Sequence, residues 1–274
     1  MKVTVVVENI KTNNDLKNQH GLSLYIESNE NKILMDFGQD DIFVENSKKL
    51  GIELEAIDIA VLSHGHYDHG GGLPYFLKEN KSAKIYINKN GFDEFYSEKP
   101  DGSKSYIGLD QKLKSQSQIQ FTNWYEEIKK DIYLVSDIIG AKFLPRGNKR
   151  LKIKMEDEFR EDEFLHEQNL VIKENDKSIL FCGCAHRGIV NIIESFKEKE
   201  GKYPDFIIGG LHLYNKSTDS YEKKEFITEL GEYLKGTKSK YYTGHCTGIL
   251  AYDELKKIMG EYIEYLDLGR TIEI

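Results

Sequence analysis

Short runs of Val, Ile and Leu broken by polar turns fill the first third of the chain and predict strands at 2–7, 22–27 and 32–35. A short helix is expected at 46–50 before Gly51, then a strand at 57–62. Pro74 fits the first turn of a helix over 73–80, where its fixed φ and missing N–H are tolerated, and a strand at 84–87 follows. From about 90 to 164 the alternation breaks down, and this stretch is expected to form an inserted cap or subdomain over one edge of the sheets. Its aromatics, Phe92, Phe95, Tyr96, Tyr106, Phe121, Trp124 and Tyr125, are candidates either to line a pocket or to fill the insertion's own core. Alternation then returns. Strands at 170–173 and 178–182 flank a Glu174-Asn175-Asp176-Lys177 turn, and Ile189, Ile192, Ile193 and Phe196 mark the apolar face of a helix at 188–197. A strand at 206–208, a helix at 223–235 and a strand at 240–243 complete the pattern.

Composition narrows the class. The 274 residues are 39% hydrophobic and 31% charged, which suits one large domain or one domain with a sizeable insertion. No apolar run approaches membrane-span length, and residues 1–8 read as a strand rather than an export signal, so a cytoplasmic protein with no membrane partner is expected. A formal charge of −8 argues against a nucleic-acid surface and leaves a small-molecule substrate as the expected partner. Three cysteines, Cys182, Cys184 and Cys246, do not suggest a disulfide framework.

The chemistry concentrates in Ser63-His64-Gly65-His66-Tyr67-Asp68-His69-Gly70-Gly71-Gly72, directly after the predicted strand at 57–62. Imidazole and carboxylate together suit a borderline divalent cation, Zn²⁺ first, with Fe or Mn as alternatives, and one or two ions in all. His64 and His66 are two apart, so on extended chain their rings share a side, while Asp68 and His69 can face a second ion from the following turn. Gly65 and the Gly70–Gly72 run allow the tight backbone this requires. Three later strands each end near a Gly-His neighbourhood, at His186, His212 and His245, which puts three more imidazoles at one edge.

The His-x-His-x-Asp-His pattern resembles the signature of the metallo-β-lactamase superfamily. Met35-Asp36-Phe37-Gly38 and Tyr242-Thr243-Gly244-His245 resemble two further motifs of that family. Segments His20–Ser23, His166–Leu170, Gly183–Ile189, Gly209–Leu213 and Gly244–Gly248 are similar to the branch containing archaeal dihydropterin ribofuranosyl-aminobenzene phosphate synthase and many bacterial hydrolases. The resemblance implies an α/β fold, an αββα sandwich with a metal site at one edge. It also implies His64, His66, Asp68, His69 and His245 as ligands. His166 resembles the family's third histidine, and Cys184 stands where many relatives carry a bridging aspartate. His186, two residues on, would point to the same side and replace a missing ligand. Cys184 is a ligand or a small buried thiol. His212 is a proton donor or a hydrogen-bond partner, Asp36 orients the metal loop, and His20 contacts substrate at the rim.

These residues lead to a metal-dependent hydrolase acting on a small phosphate- or ester-containing molecule. A bound ion lowers the pKa of water to about 7, giving hydroxide near neutrality. Asp68 would orient that hydroxide and His212 would protonate the leaving group. Two alternatives stand beside it: a pterin-type synthase, and a metal-binding redox or sensing protein without hydrolase activity.

Overall fold

In the computed structural model, which describes residues 1–28 and 30–274, most of the predicted strands appear within a residue or two of expectation. The first third supplies β1 (Lys2–Val7), β2 (Ser23–Ser28), β3 (Asn31–Met35), β4 (Ile59–Val61) and β5 (Lys84–Asn88), with α1 (Ile42–Lys49), α2 (Tyr67–Gly70) and α3 (Leu73–Glu79). The middle carries β6 (Glu94–Glu98), β7 (Lys104–Tyr106), β8 (Ile119–Thr122), β9 (Tyr125–Lys129), β10 (Ile132–Val135), β11 (Leu151–Met155) and β12 (Glu158–Glu161). The last part holds β13 (Asn169–Glu174), β14 (Lys177–Phe181), β15 (Phe206–Ile208), β16 (Tyr214–Asn215), β17 (Ser220–Tyr221), β18 (Lys240–Thr243), β19 (Ile263–Tyr265) and β20 (Thr271–Glu273). Its helices are α4 (Ile189–Glu200), α5 (Lys224–Gly236) and α6 (Ile249–Met259).

Two seven-stranded sheets form, ordered β20-β1-β2-β3-β4-β5-β8 and β19-β18-β15-β14-β13-β10-β9. Period-two alternation sorts each strand's side chains between two faces. Ile33 and Met35 of β3, Ile59 and Val61 of β4, and Ile179 and Phe181 of β14 meet in one core between the sheets. The residues between them turn outward: Leu34 and Ala60 pack with Phe43, Leu73 and Phe76 of the helical layer outside the first sheet. Leu180 packs with Ile189, Ile193, Leu230 and Leu255 outside the second. The result is the expected αββα sandwich. Among the described residues no helix is long and apolar enough to cross a membrane.

Three expectations need correction. Helix α1 begins at Ile42 rather than at residue 46, because Phe43 and Val44 are buried and draw the earlier turn onto the sheet. Helix α6 and strands β19 and β20 were not foreseen; α6 buries only Ala251, Leu255 and Met259, too sparse a stripe to read from sequence. The stretch 90–164 is not one inserted block. β8 pairs with β5 in the first sheet, and β9 and β10 join the second, leaving β12-β11-β6-β7 as a separate four-stranded sheet.

Within each large sheet an antiparallel half gives way to a parallel half, β3-β4-β5-β8 in one and β14-β15-β18-β19 in the other. Parallel strands release their carboxyl-terminal loops at one edge, the usual place for a binding crevice in α/β sheets. The loops after β4, β14, β15 and β18 carry His64 to His69, Cys184 to His186, His212 and His245.

Candidate metal centre

At that edge, His64, His66 and His186 bring one ring nitrogen each within 4.8 Å of one another. The hydrogen bonds behind them fix the tautomers of two. Ser63 donates its only hydroxyl proton to Asp36 Oδ2 (2.7 Å), so its oxygen accepts from His64 Nδ1–H at 2.9 Å. Asn148 donates its amide to the His186 carbonyl (2.7 Å), which turns Oδ1 toward His186 Nδ1–H at 3.1 Å. Nε2 of each ring is therefore a bare lone pair. Nε2 of His64, His66 and His186 are all buried without a hydrogen-bond partner. A buried unsatisfied polar atom costs about 1–3 kcal/mol, so three aimed at one point mark a ligand position. Burial pushes His66 down to about 3 and His64 and His186 well below the ordinary imidazole value, which keeps the three neutral and able to ligate.

A second cluster lies beside the first. Asp68 Oδ2 is 3.2 Å from His20 Nε2, 3.4 Å from His245 Nε2 and 3.8 Å from His69 Nε2. His69 Nδ1–H donates to Asp36 Oδ2 at 2.6 Å. His245 Nδ1–H donates to Asn9 Oδ1 at 3.0 Å, while Asn9 donates back to the His245 carbonyl at 3.2 Å. Both Nε2 lone pairs then face each other at 3.1 Å and need a shared positive charge between them, a proton or a metal ion. Burial opposes charge on His69, but the Asp36 and Asp68 carboxylates outweigh it and raise that imidazole to about 9.

Cys184 connects the clusters. Its Sγ is 3.2 Å from His69 Nε2, and it groups with His64 and His69 on one side and with His245 and Cys246 on the other. Where a bridging group is needed, this chain offers sulfur.

Close packing sets the loops. A Cβ on Gly65 would lie 2.3 Å from the Gly91 carbonyl oxygen, and one on Gly183 would lie 2.1 Å from Ser63 Oγ. Asp36, Ala185, His212 and His245 all hold positive φ without being glycine. Such strain persists where the surroundings over-determine it, and it gathers at functional sites.

One expectation fails on geometry. His166 accepts the Gly65 N–H at Nδ1 (2.9 Å) and bonds Asp162 Oδ2 through Nε2 (3.0 Å), so neither nitrogen is free for a metal. It props the metal loop instead. Of the two readings of the insertion's aromatics, pocket lining does not fit, since none of them lines the cavity. Phe92 and Phe95 are buried, the Phe95 ring centred 3.9 Å from that of His166, whereas Tyr106, Phe121, Trp124 and Tyr125 face solvent. His20 sits deeper than a rim position, in contact with Asp68. His212 lies on the cavity wall, its ring 4.2 Å from that of His186 and its Nδ1 buried without a partner.

Sequence reasoning also passed over two buried carboxylates. Glu167 accepts the backbone N–H of His186 at 2.6 Å and of Arg187 at 2.9 Å. Glu8 accepts the N–H of His245 at 2.5 Å and the Tyr265 hydroxyl at 2.9 Å. Each fixes the backbone of one of the clustered histidines. Glu167 falls within the His166–Leu170 segment, whose resemblance assigns it no role, and Glu8, ending a run of valines, gives no signal.

The clusters open into a cavity of about 330 Å³ lined by His66, Asp68, His186, His212 and His245, with the separate four-stranded sheet forming part of its wall through Ser97, Ser105 and Leu151. A larger hollow of about 730 Å³ at the opposite ends of the strands, around Met1, Glu27, Glu174 and Glu273, contains no histidine.

Comparison with known proteins agrees with this architecture. The model of the metallo-β-lactamase superfamily matches residues 17–225. An uncharacterised protein of Methanocaldococcus jannaschii is 32% identical over 273 residues, covering 93% of this chain and 94% of its own. The 7,8-dihydropterin-6-methyl-4-(β-D-ribofuranosyl)-aminobenzene-5′-phosphate synthase of the same organism is 27% identical over 288 residues, covering 95% of this chain and 92% of that protein. A crystal structure described as a metal-dependent hydrolase of the β-lactamase superfamily matches with a TM-score of 0.84 and 27% identity, covering 100% of this chain and 99% of that one. The chain belongs to the metallo-β-lactamase superfamily.

Proposed function

We infer that this protein is a metal-dependent hydrolase of a small phosphate- or ester-containing molecule. The observation that carries this is the convergence of unpartnered Nε2 atoms from His64, His66 and His186 on one buried point. Those three residues would hold one divalent ion and Asp68, His69 and His245 a second, the Cys184 thiol lying within reach of both clusters. Imidazole and thiolate donors favour zinc, with iron next and manganese less suited. Bound there, such ions supply charge neutralisation for the scissile group and acidify water.

The chain's own groups do the rest. Asp36 holds His69 in the tautomer that offers Nε2, and Asn9 does the same for His245. Asp68, beside His20 and His245, would orient the attacking water as well as hold the second ion. His212, on the cavity wall, would protonate the leaving oxygen.

Metal per chain, measured on protein purified without added metal or chelator, is expected near two equivalents. His66→Ala should lose metal and hydrolysis of bis(p-nitrophenyl) phosphate while keeping its circular dichroism. Full activity in that variant would sink the assignment.

A second reading draws on the 27% identity shared with the pterin-related synthase over 95% of this chain. Formation of that enzyme's named product by this protein, with no hydrolysis of simple esters, would put the synthase first.

A further inference from the structure

The cavity wall above the histidines carries charge that the proposed hydrolysis does not use. The chain has more Asp and Glu than Lys and Arg, 46 against 38, yet the cavity lining holds a single carboxylate, Asp68, already engaged with His20 and His245. Lys99, Arg150 and Lys216 line the same space. Other cations nearby are neutralised: Lys104 pairs with Glu98 at 3.6 Å, Arg146 with Glu222 at 2.6 Å and Lys152 with Glu161 at 4.0 Å. Lys99, Arg150 and Lys216 form no ion pair among the described residues. Among the described residues the guanidinium of Arg150 meets only the Glu98 carbonyl, at 3.4 Å, which leaves most of its fork of donors available.

The three arrive from separate places. Lys99 follows β6, Arg150 precedes β11, and Lys216 sits between β16 and β17. Ser97 and Ser105 add hydroxyl groups to the same lining. Arginine and lysine converging on one space, unopposed by carboxylate, are the recognition chemistry of a phosphate, and three positive charges exceed what one carboxylate would balance.

We propose that Lys99, Arg150 and Lys216 form an anion-binding arch that holds a terminal phosphate of the substrate, remote from the group that meets the histidine clusters. The inference rests on the clusters being the place where a bond is cleaved. It narrows the substrate to molecules carrying two anionic or polar ends, one at the clusters and one at the arch.

Calorimetric titration of the metal-loaded protein with two probes, fructose 6-phosphate and fructose 1,6-bisphosphate, tests this. The second phosphate is expected to tighten binding at least tenfold at low salt, with the gain shrinking as salt is raised. In the triple variant K99A/R150A/K216A the two probes should bind alike, with metal content unchanged. A matched variant, K81A/K130A/K238A, removes the same charge from exposed positions outside the cavity and should keep the tenfold gain. Arg150→Lys, retaining charge but not the fork, should fall between. A wild-type ratio near one, or a gain that survives in K99A/R150A/K216A, overturns the arch. Phosphate release is followed in the same samples. Binding with the expected ratio but no release would count against the hydrolase reading and leave the arch standing.

Discussion

Asp36 takes three hydrogen bonds at once: from the Ser63 N–H (2.7 Å), from the Ser63 hydroxyl (2.7 Å) and from His69 Nδ1–H (2.6 Å). Asp36→Asn turns an amide toward one of these donors and leaves it unsatisfied. The expected result is a loss of about 1–3 kcal/mol of stability in urea melts and a roughly 10–100-fold weaker hold on metal in competition with a chelator. Unchanged metal affinity would mean that His69 is oriented by packing alone. Cys184 allows a different experiment. Cys184→Asp exchanges a soft donor for a hard one between the clusters, so protein loaded from an equimolar zinc and manganese mixture should shift toward manganese. At this scale much of the candidate site's clustering was legible, because histidines within six positions of one another announce themselves by spacing. His20, Glu8 and Glu167 were not legible in their roles, since what matters for each is a partner far along the chain: Asp68, His245 and His186 respectively.

At the scale of elements, the hairpin β13–β14 was read correctly down to its turn. Glu174 pairs with Lys177 across Asn175 and Asp176, both at positive φ, the two-residue turn whose twist suits paired strands. A β-branched residue resists that conformation, so Asn175→Val is expected to cost about 1–2 kcal/mol in equilibrium unfolding. The clasp between α4 and α5 is tunable by pH. Glu194 accepts the Tyr233 hydroxyl at 2.5 Å and the Tyr203 hydroxyl as well, and these bonds hold its carboxyl below the ordinary value. A depressed carboxyl contributes stability above its unfolded value, near 4.5, and loses that contribution as pH falls through the folded one. Glu194→Gln should therefore flatten the acid side of the stability profile below about pH 4.5. A profile identical to wild type there would show that the clasp adds nothing. Residues 90–164 misled the sequence reading for a physical reason. Whether β8, β9 and β10 belong to an insertion or to the main sheets depends on which edges they pair with, and short strands do not encode their neighbours.

For the whole molecule, alternation gave the strands, the resemblance carried by His64–His69 and its companion motifs implied the sandwich, and the candidate site lies where the parallel strands end. The arch could not be read from sequence, because Lys99, Arg150 and Lys216 are isolated in the chain and meet only in the folded cavity. Ligand binding to the folded state alone stabilises it by about 2.7 kcal/mol at a hundredfold excess over Kd. Chelator-treated protein should accordingly melt several degrees lower and recover on adding zinc. An unshifted transition would place the metal outside the folded core.

The 3.1 Å approach of His69 to His245 has one more consequence. His69 hangs from the first sheet and His245 from the second, 176 residues apart in sequence. An ion gripped by both is a fastener across the sandwich, in effect a reversible crosslink that closes most of the chain into a single ring. Release of metal should then become the gate to unfolding, so that the protein's lifetime under protease is set by how fast the ion leaves.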